Sequence, residues 1–374
     1  MMRVLIFSLE YFPRVGGAEI AIKELTDRLS DEFVFDMVTW GAGPAEERVG
    51  VVSVYRITGA KWLYPVRAFR KASSLHKAHP FDLTWSMMAA YAGFAGLLFK
   101  LRRPQVPWLL SLQEGDPISH IKRRTRFVYP LFRMIFRRAD VVQAISTYLA
   151  DFGKSMGHAG YIEVVPNGVD TRRFSWRARF INPDHVVLVT ASRLVYKNGV
   201  DIVIRALPLL PASVIFRVYG EGPLEGELRE LAKALGVAER VAFKGFVSHD
   251  ELPRLLSEAD IFVRPSRSEG MGNSFIEAMA AGLPVIATQQ GGIADFLFDE
   301  NRNQSVPPTG FAVDPDSPAQ IAQQVRRAIT QSEATGQVVK NARALVMEKY
   351  DWDHVARLMR GVLERTAKRA RMGV

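Results

Sequence analysis

The sequence predicts an α/β protein made of two doubly wound, parallel-sheet domains. Three observations carry this. The chain has 374 residues, enough for two full cores at ~150 residues per domain. Apolar runs of strand length alternate with helical patterns, which is the signature of parallel sheets covered by helices. Midway, at Val186–Ala191 (VVLVTA), the whole alternation restarts.

Arg3–Ser8 (RVLIFS) is a continuous apolar run, as expected of a strand buried on both faces. Gly16-Gly17 and a helical pattern over Ala18–Leu29 follow. Further strands read at Phe35–Thr39, Val51–Arg56, Leu83–Trp85, Trp108–Leu112, Val141–Ile145 and Glu163–Val165. In the second series, strands read at Val214–Tyr219, Val241–Lys244, Ile261–Arg264 and Pro284–Ala287. Helices separate them at Val200–Leu209, Leu224–Leu235, His249–Glu258 and Asn273–Ala281. Patterns at Gln320–Glu333 and Gln337–Lys349 precede a last helix from Asp353 to about Ala370. The seam falls in the Arg-rich Thr171–His185, so the expected domains are 1–176 and 177–350, followed by a helix in 351–374. Two such layers can face each other across a cleft, and parallel sheets bind ligands at the carboxyl ends of their strands. The chemistry is therefore sought in the loops after strands.

Composition excludes several classes. Hydrophobic residues make up 48% and charged residues 24%, the balance of a globular chain. No cysteine is present, which rules out a disulfide scaffold, a thiolate zinc site and a cysteine nucleophile. Seven histidines form no H-x-x-x-H pair, so no metal site is expected. Leu83–Phe99 is uncharged but shorter than the ~20 apolar residues of a spanning helix. Met1–Phe7 is too short for a signal peptide. A cytoplasmic protein is expected.

The strongest chemical feature is Arg267–Pro284, R-S-E-G-M-G-N-S-F-I-E-A-M-A-A-G-L-P, which follows the strand Ile261–Arg264. Gly270 and Gly272 remove side chains where a helix begins, leaving the amides of Met271, Asn273 and Ser274 and the positive helix end for an anion, most naturally phosphate. Glu277, inside that helix, can accept hydrogen bonds from the diol of a ribose. Glu269, on the loop, can reach sugar hydroxyls ahead of the phosphates. A capped surface helix with two solvated acids is the plainer reading. Arg193 and Lys197 follow the strand Val186–Ala191 and can both reach one diphosphate, the arginine as a fork and the lysine as a point charge. They too can be simple surface cations. After Val214–Tyr219 comes Gly220-Glu221-Gly222-Pro223, which with Gly226 is one residue too long for a dinucleotide fingerprint. It reads as a glycine turn past which a ligand runs closely. Gly16-Gly17-Ala18-Glu19 is another glycine turn that opens a helix.

In order, G-G-A-E, P-N-G-V-D (Pro166–Asp170), S-R-L-V-Y-K-N-G, G-E-G-P and the Glu269–Glu277 segment resemble the family 4 retaining glycosyltransferases of GT-B architecture. The resemblance spans essentially the whole chain. It implies two Rossmann-like domains, the C-terminal one holding a nucleotide-diphospho-sugar and the N-terminal one the acceptor, with the last helix crossing back to the first domain. It also implies that Arg193 and Lys197 grip the diphosphate, Glu269 the donor sugar and Glu277 the ribose. Backbone amides of Met271–Ser274 complete the phosphate site, and Gly16-Gly17 pass close to it. The family does not usually need a metal, and the nucleotide-sugar is a substrate, so no cofactor is expected. Where many members carry a histidine after the strand Trp108–Leu112, this chain reads Gln113-Glu114-Gly115-Asp116-Pro117. Gln113 can hydrogen-bond a sugar but cannot act as a base. Asp116 is either a polar group on the acceptor side or a helix N-terminal acid. A departing phosphate can take the acceptor's proton, so a side-chain base is not required.

The net charge of +10 is unevenly spread: Lys61–Arg138 holds fifteen Lys and Arg against Asp82, Glu114 and Asp116. Within it, Arg123, Arg124, Arg126, Arg133, Arg137 and Arg138 flank Phe127, Leu131, Phe132, Met134 and Ile135. Such a stretch suits an anionic membrane surface and a lipid-linked acceptor, with Phe127 or Phe132 inserted. An amphipathic helix packed on its sheet is the alternative. Nucleic-acid binding would explain only these charges, and a nicotinamide oxidoreductase would need a properly spaced fingerprint. A GT-B sugar phosphorylase would share the architecture. Transfer of a sugar explains the glycine turns, the cations and both glutamates together, with no nucleic acid as partner.

Overall fold

A computed structural model describes residues 1–174, 176 and 181–371. The chain forms two compact units, Met1–Asn167 with Trp352–Val374, and Gly168–Asp351.

The first unit holds an eight-stranded sheet. Its strands are β1 (Met2–Phe7), β2 (Phe33–Trp40), β3 (Glu46–Val49), β4 (Val52–Ile57), β5 (Leu83–Met87), β6 (Trp108–Leu112), β7 (Val141–Ala144) and β8 (Ile162–Val164). The order is β3-β4-β2-β1-β5-β6-β7-β8. Every pairing is parallel except β3 with β4, a short hairpin of E-E-R-V whose alternation was not read from sequence. The apolar run of β1 follows from burial on both faces. Val4 and Ile6 pack with Ile22, Leu25 and Leu29 of α1 (Gly17–Leu29). Leu5 and Phe7 pack on the other face with Tyr64 and Ala68 of α2 (Tyr64–Ala78) and Phe99 of α3 (Tyr91–Arg102). The terminal helix Trp352–Arg371 belongs to this unit and lays Trp352, Val355, Met359 and Leu363 into the α1 layer. The strand order reverses between β1 and β5, so the loops after these two strands diverge there.

The basic stretch is broken in three: α4 (Ile118–Thr125), a 3-10 turn at Arg126–Val128, and α5 (Tyr129–Arg138) with Pro130 in its first turn, where proline is tolerated. Phe132 is 1% exposed and packs edge-on against Phe136, so it is a core residue and not a membrane-inserting one. Phe127 is 83% exposed, and Val128 and Leu131 are exposed beside it.

The second unit carries a six-stranded parallel sheet: β9 (Val186–Ala191), β10 (Val214–Tyr219), β11 (Val241–Phe243), β12 (Ile261–Arg264), β13 (Val285–Ala287) and β14 (Phe311–Ala312), in the order β11-β10-β9-β12-β13-β14. One face packs Leu188, Phe216 and Val263 against the helices Val200–Ala206 and Pro318–Thr330. On the other, Phe262, Phe275, Phe296 and Tyr350 form a chain of ring contacts. The reversal of strand order lies between β9 and β12.

The break between units falls at Asn167/Gly168, earlier than the expected Trp176. Backbone bonding explains the difference. Val169 donates to the Tyr350 carbonyl at 2.8 Å and pairs with Asp351, whose carboxylate accepts from Thr171 Oγ1 at 2.6 Å. Residues 168–174 are thereby tied to the second unit. Residues 175 and 177–180 of the expected seam lie outside the described residues.

Candidate functional site

In the second unit, the loops at the strand-order reversal carry the predicted residues. After β9 the chain turns through Arg193, exposed, and Lys197, half-buried, in a 3-10 turn at Tyr196–Asn198. The turn is stapled to the loop after β12. Arg267 donates its backbone N–H to the Lys197 carbonyl at 2.7 Å, and its guanidinium grips both oxygens of Asp201 at 2.9 and 2.7 Å. It also reaches Asp316 at 2.7 Å and lies 3.9 Å over the Tyr196 ring. The two carboxylates, Asp201 ahead of Asp316, outweigh burial and hold Arg267 above the ordinary guanidinium range. Arg193, Lys197 and Glu269 therefore sit on loops joined by backbone and by ion pairs.

Glu269 is buried. Its Oε2 accepts from Arg264 Nη2 at 2.8 Å and its Oε1 from the Gly270 N–H at 3.1 Å. Arg264 ends β12 and also donates to Ser274 Oγ at 2.6 Å, in the first turn of α10 (Asn273–Ala280). Burial lowers Arg264 from the ordinary guanidinium value, and Glu269 and Glu277 oppose that shift. Gly272 caps α10 with φ +88°, the left-handed region that favours glycine, and a Cβ there would lie 2.5 Å from the Phe275 ring. Met271 is buried beneath the turn. Within α10, the Glu277 carboxylate meets His249 Nε2 at 2.9 Å. The His249 ring lies 5.9 Å from Phe174, and Arg173 fixes the same loop through Asp250 at 2.7 Å.

The turn Gly220–Pro223 also packs on the loop after β9. A Cβ on Gly220, where φ is +125°, would lie 2.0 Å from the Ser192 carbonyl oxygen. Glu221 accepts at its carbonyl from Leu194 N at 2.9 Å. These glycines let one loop pack against the backbone that carries Arg193.

In the first unit, Gly16 N–H donates to Glu19 Oε2 at 2.8 Å, so the opening of α1 is capped by the chain's own carboxylate. Burial raises the Glu19 carboxyl above its ordinary value. Gly17 is exposed beside it. Gln113 is buried in a reciprocal amide pair with Asn167, Nε2 to Oδ1 at 3.1 Å and Nδ2 to Oε1 at 3.2 Å. This binds the loop after β6 to the P-N-G-V-D segment, a role that the expected sugar contact did not anticipate. Asp116 is exposed ahead of α4.

Sequence reasoning missed four residues here. Arg264 left a usable signal, a charge inside the buried run I-F-V-R with a glutamate five residues on. His249 and Arg267 left none, since their partners are distant in sequence. Glu114 is the fourth: its Oε1 accepts from Ala89 N at 2.6 Å, and its Oε2 is buried with no hydrogen-bond partner among the described residues. Burial pushes its carboxyl up.

Two family models together account for most of the chain: glycosyltransferase family 4 over residues 15–173 and glycosyl transferases group 1 over residues 172–345. The chain belongs to glycosyltransferase family 4. It is 29% identical to a GDP-mannose-dependent alpha-(1-6)-phosphatidylinositol monomannoside mannosyltransferase of Mycobacterium tuberculosis, over 95% of this chain and 96% of that protein. It is 27% identical to an uncharacterized glycosyltransferase of Methanocaldococcus jannaschii, again over 95% and 96%. Among solved structures, sucrose-phosphate synthase from Thermosynechococcus elongatus superposes with a TM-score of 0.85 at 21% identity, covering 99% of this chain and 100% of that one. Anabaena HepE in complex with UDP and glucose gives 0.80 at 21% identity, covering 98% and 100%. The fold of this glycosyltransferase is GT-B.

Proposed function

We propose that this glycosyltransferase moves a hexose from a nucleotide-diphospho-sugar to an acceptor hydroxyl with retention at the anomeric carbon and without a metal. One observation carries the reading: buried, ion-paired Glu269 sits on a loop bonded through Arg267 to the turn that bears Arg193 and Lys197. In this reading the two cations neutralise the departing diphosphate, where charge develops as the glycosidic bond breaks. Glu269 accepts hydrogen bonds from sugar hydroxyls and Glu277 from the ribose. Backbone amides of Met271–Ser274 meet the phosphate at the start of α10. As the sugar–phosphate bond breaks, the acceptor oxygen bonds to the anomeric carbon and its proton passes to the departing phosphate. No side-chain base is needed, and Asp116 serves the acceptor side, with the acceptor held by the first unit and the donor by the second.

The mycobacterial relative's name supports GDP-mannose as donor and a glycolipid as acceptor. We place the activity in cell-surface polysaccharide or glycolipid synthesis at the inner face of the cytoplasmic membrane. No described helix is long and apolar enough to cross a membrane. Phe127, Val128 and Leu131, exposed among the cations of α4 and α5, support reversible docking on anionic lipid.

A thermal-shift panel of GDP-, UDP- and ADP-sugars tests the donor class, because a ligand that binds only the folded state raises its melting temperature. GDP-mannose is expected to stabilise the protein, and Glu277→Ala to diminish the shift. No shift with any nucleotide-sugar at millimolar concentration would overturn the reading. Proton NMR of the product's anomeric signal reports retention, and turnover with free phosphate would indicate a phosphorylase.

A further inference from the structure

We infer that Arg264 is a positioning residue for sugar transfer, holding the Glu269 carboxylate in one orientation. This rests on the reading of Glu269 as the carboxylate that holds the donor sugar.

Arg264 is 5% exposed and reaches three elements at once. Nη1 donates to the Ala191 carbonyl at the end of β9 at 3.3 Å and to Ser274 Oγ in α10 at 2.6 Å. Nη2 donates to Glu269 Oε2 at 2.8 Å. The guanidinium lies 4.0 Å from the Phe275 ring centroid, which sets its plane. An arginine at the end of an otherwise apolar, buried strand is expensive without such partners.

The chemistry of each partner requires the other. The guanidinium is a planar fork of donors and the carboxylate a pair of acceptor oxygens, so each satisfies the other where water is excluded. The Glu269 carboxylate accepts hydrogen bonds and donates none. Of its roughly four acceptor positions, Arg264 takes one and the Gly270 N–H another. Those left over suit two neighbouring hydroxyls of a sugar. Because Arg264 also holds Ser274, one side chain sets the sugar-side carboxylate and the first turn of the phosphate-side helix relative to each other. Arg264 acts through these groups and does not itself touch the sugar.

The test compares Arg264→Met, Arg264→Lys, Glu269→Gln and the double variant Arg264→Met/Glu269→Gln. GDP and UDP binding are measured by calorimetry, and nucleoside diphosphate release is followed from GDP-mannose and UDP-glucose. Arg264→Met is expected to lower kcat about 100-fold, as small misplacements of reacting groups do, with GDP or UDP affinity unchanged within about threefold. The loss should fall on kcat and leave KM for the donor within about threefold, a split that a purely structural residue would not produce. Arg264→Lys should recover part of the loss, keeping the charge without the fork. The double variant leaves no unpaired buried charge and should be no less active than Glu269→Gln alone. A folded Arg264→Met enzyme with wild-type kcat, or with its loss carried in KM, would overturn the inference. If Arg264→Met does not fold, the double variant decides: activity well below Glu269→Gln would mean that Arg264 works independently of Glu269. A wild type that releases nucleoside diphosphate from neither donor would bring down the function reading, and this inference with it. An active wild type beside an active Arg264→Met enzyme would remove this inference alone.

Discussion

His249 Nε2 lies 2.9 Å from Glu277 Oε1, joining the loop before α9 (Leu252–Ser257) to the middle of α10. The carboxylate assigned to the ribose is thus oriented by a side chain 28 residues away. Glu277→Ala should weaken GDP or UDP binding by roughly 10- to 100-fold, the loss of charge-assisted hydrogen bonds worth about 1.5–3 kcal/mol. His249→Ala removes only the orienting contact and should cost about 1 kcal/mol, roughly fivefold. Calorimetric titration with GDP and UDP checks both. Equal affinities for Glu277→Ala and wild type would remove Glu277 from the nucleotide site.

Glu114 predicts a pH dependence of stability. Burial holds its carboxyl above the ordinary value of 4.5, with the Ala89 N–H opposing. Between 4.5 and the raised folded value, the native state binds more proton than the unfolded state, so stability falls as pH rises. The contribution is present in full below 4.5 and is lost as pH rises through the folded value. Glu114→Gln keeps an acceptor for Ala89 but cannot titrate. Its melting temperature should decline less than that of the wild type across this window. Parallel curves would show that Glu114 ionises normally.

Much of this architecture was legible because it is local. Val4 to Phe7 is apolar at every position because two helical layers cover β1, and the restart at Val186 marks a second sheet. The glycines and acids of Arg267–Pro284 follow a strand and open a helix, so their place could be read directly. What escaped depends on contacts distant in sequence. Gln113 pairs with Asn167 and Gly220 packs on the Ser192 carbonyl, contacts that no local pattern announces. Phe132 and Phe127 share one basic stretch, yet Phe132, within α5, is buried and Phe127, in the 3-10 turn before it, is exposed.

Metal independence follows from the proposed use of Arg193 and Lys197 as the counter-charge for the leaving diphosphate. Prolonged treatment with a chelator should leave turnover essentially intact. Complete loss, restored by magnesium or manganese, would assign that charge to a cation instead.

Docking on lipid rests on the cations around Phe127. Each Lys or Arg near an anionic surface contributes roughly 1 kcal/mol, within a Debye length of ~8 Å. Binding to anionic vesicles should therefore rise with anionic lipid content and fall with salt. Arg123→Ser/Arg124→Ser/Arg126→Ser and Phe127→Ser should each reduce co-sedimentation. No binding at low salt would leave the stretch a solvated basic face and favour a soluble acceptor.

In the proposed reaction, Glu269 holds the sugar while the cations and Glu277 hold the nucleotide. The direct measurement pairs two readouts on Glu269→Ala: release of nucleoside diphosphate from the donor that the wild type uses, and affinity for that nucleoside diphosphate. The account predicts that release falls by about 100-fold or more, as for loss of a group that positions or stabilises the reacting sugar, while affinity stays within about threefold. Release at near wild-type rates from a folded Glu269→Ala enzyme would contradict it.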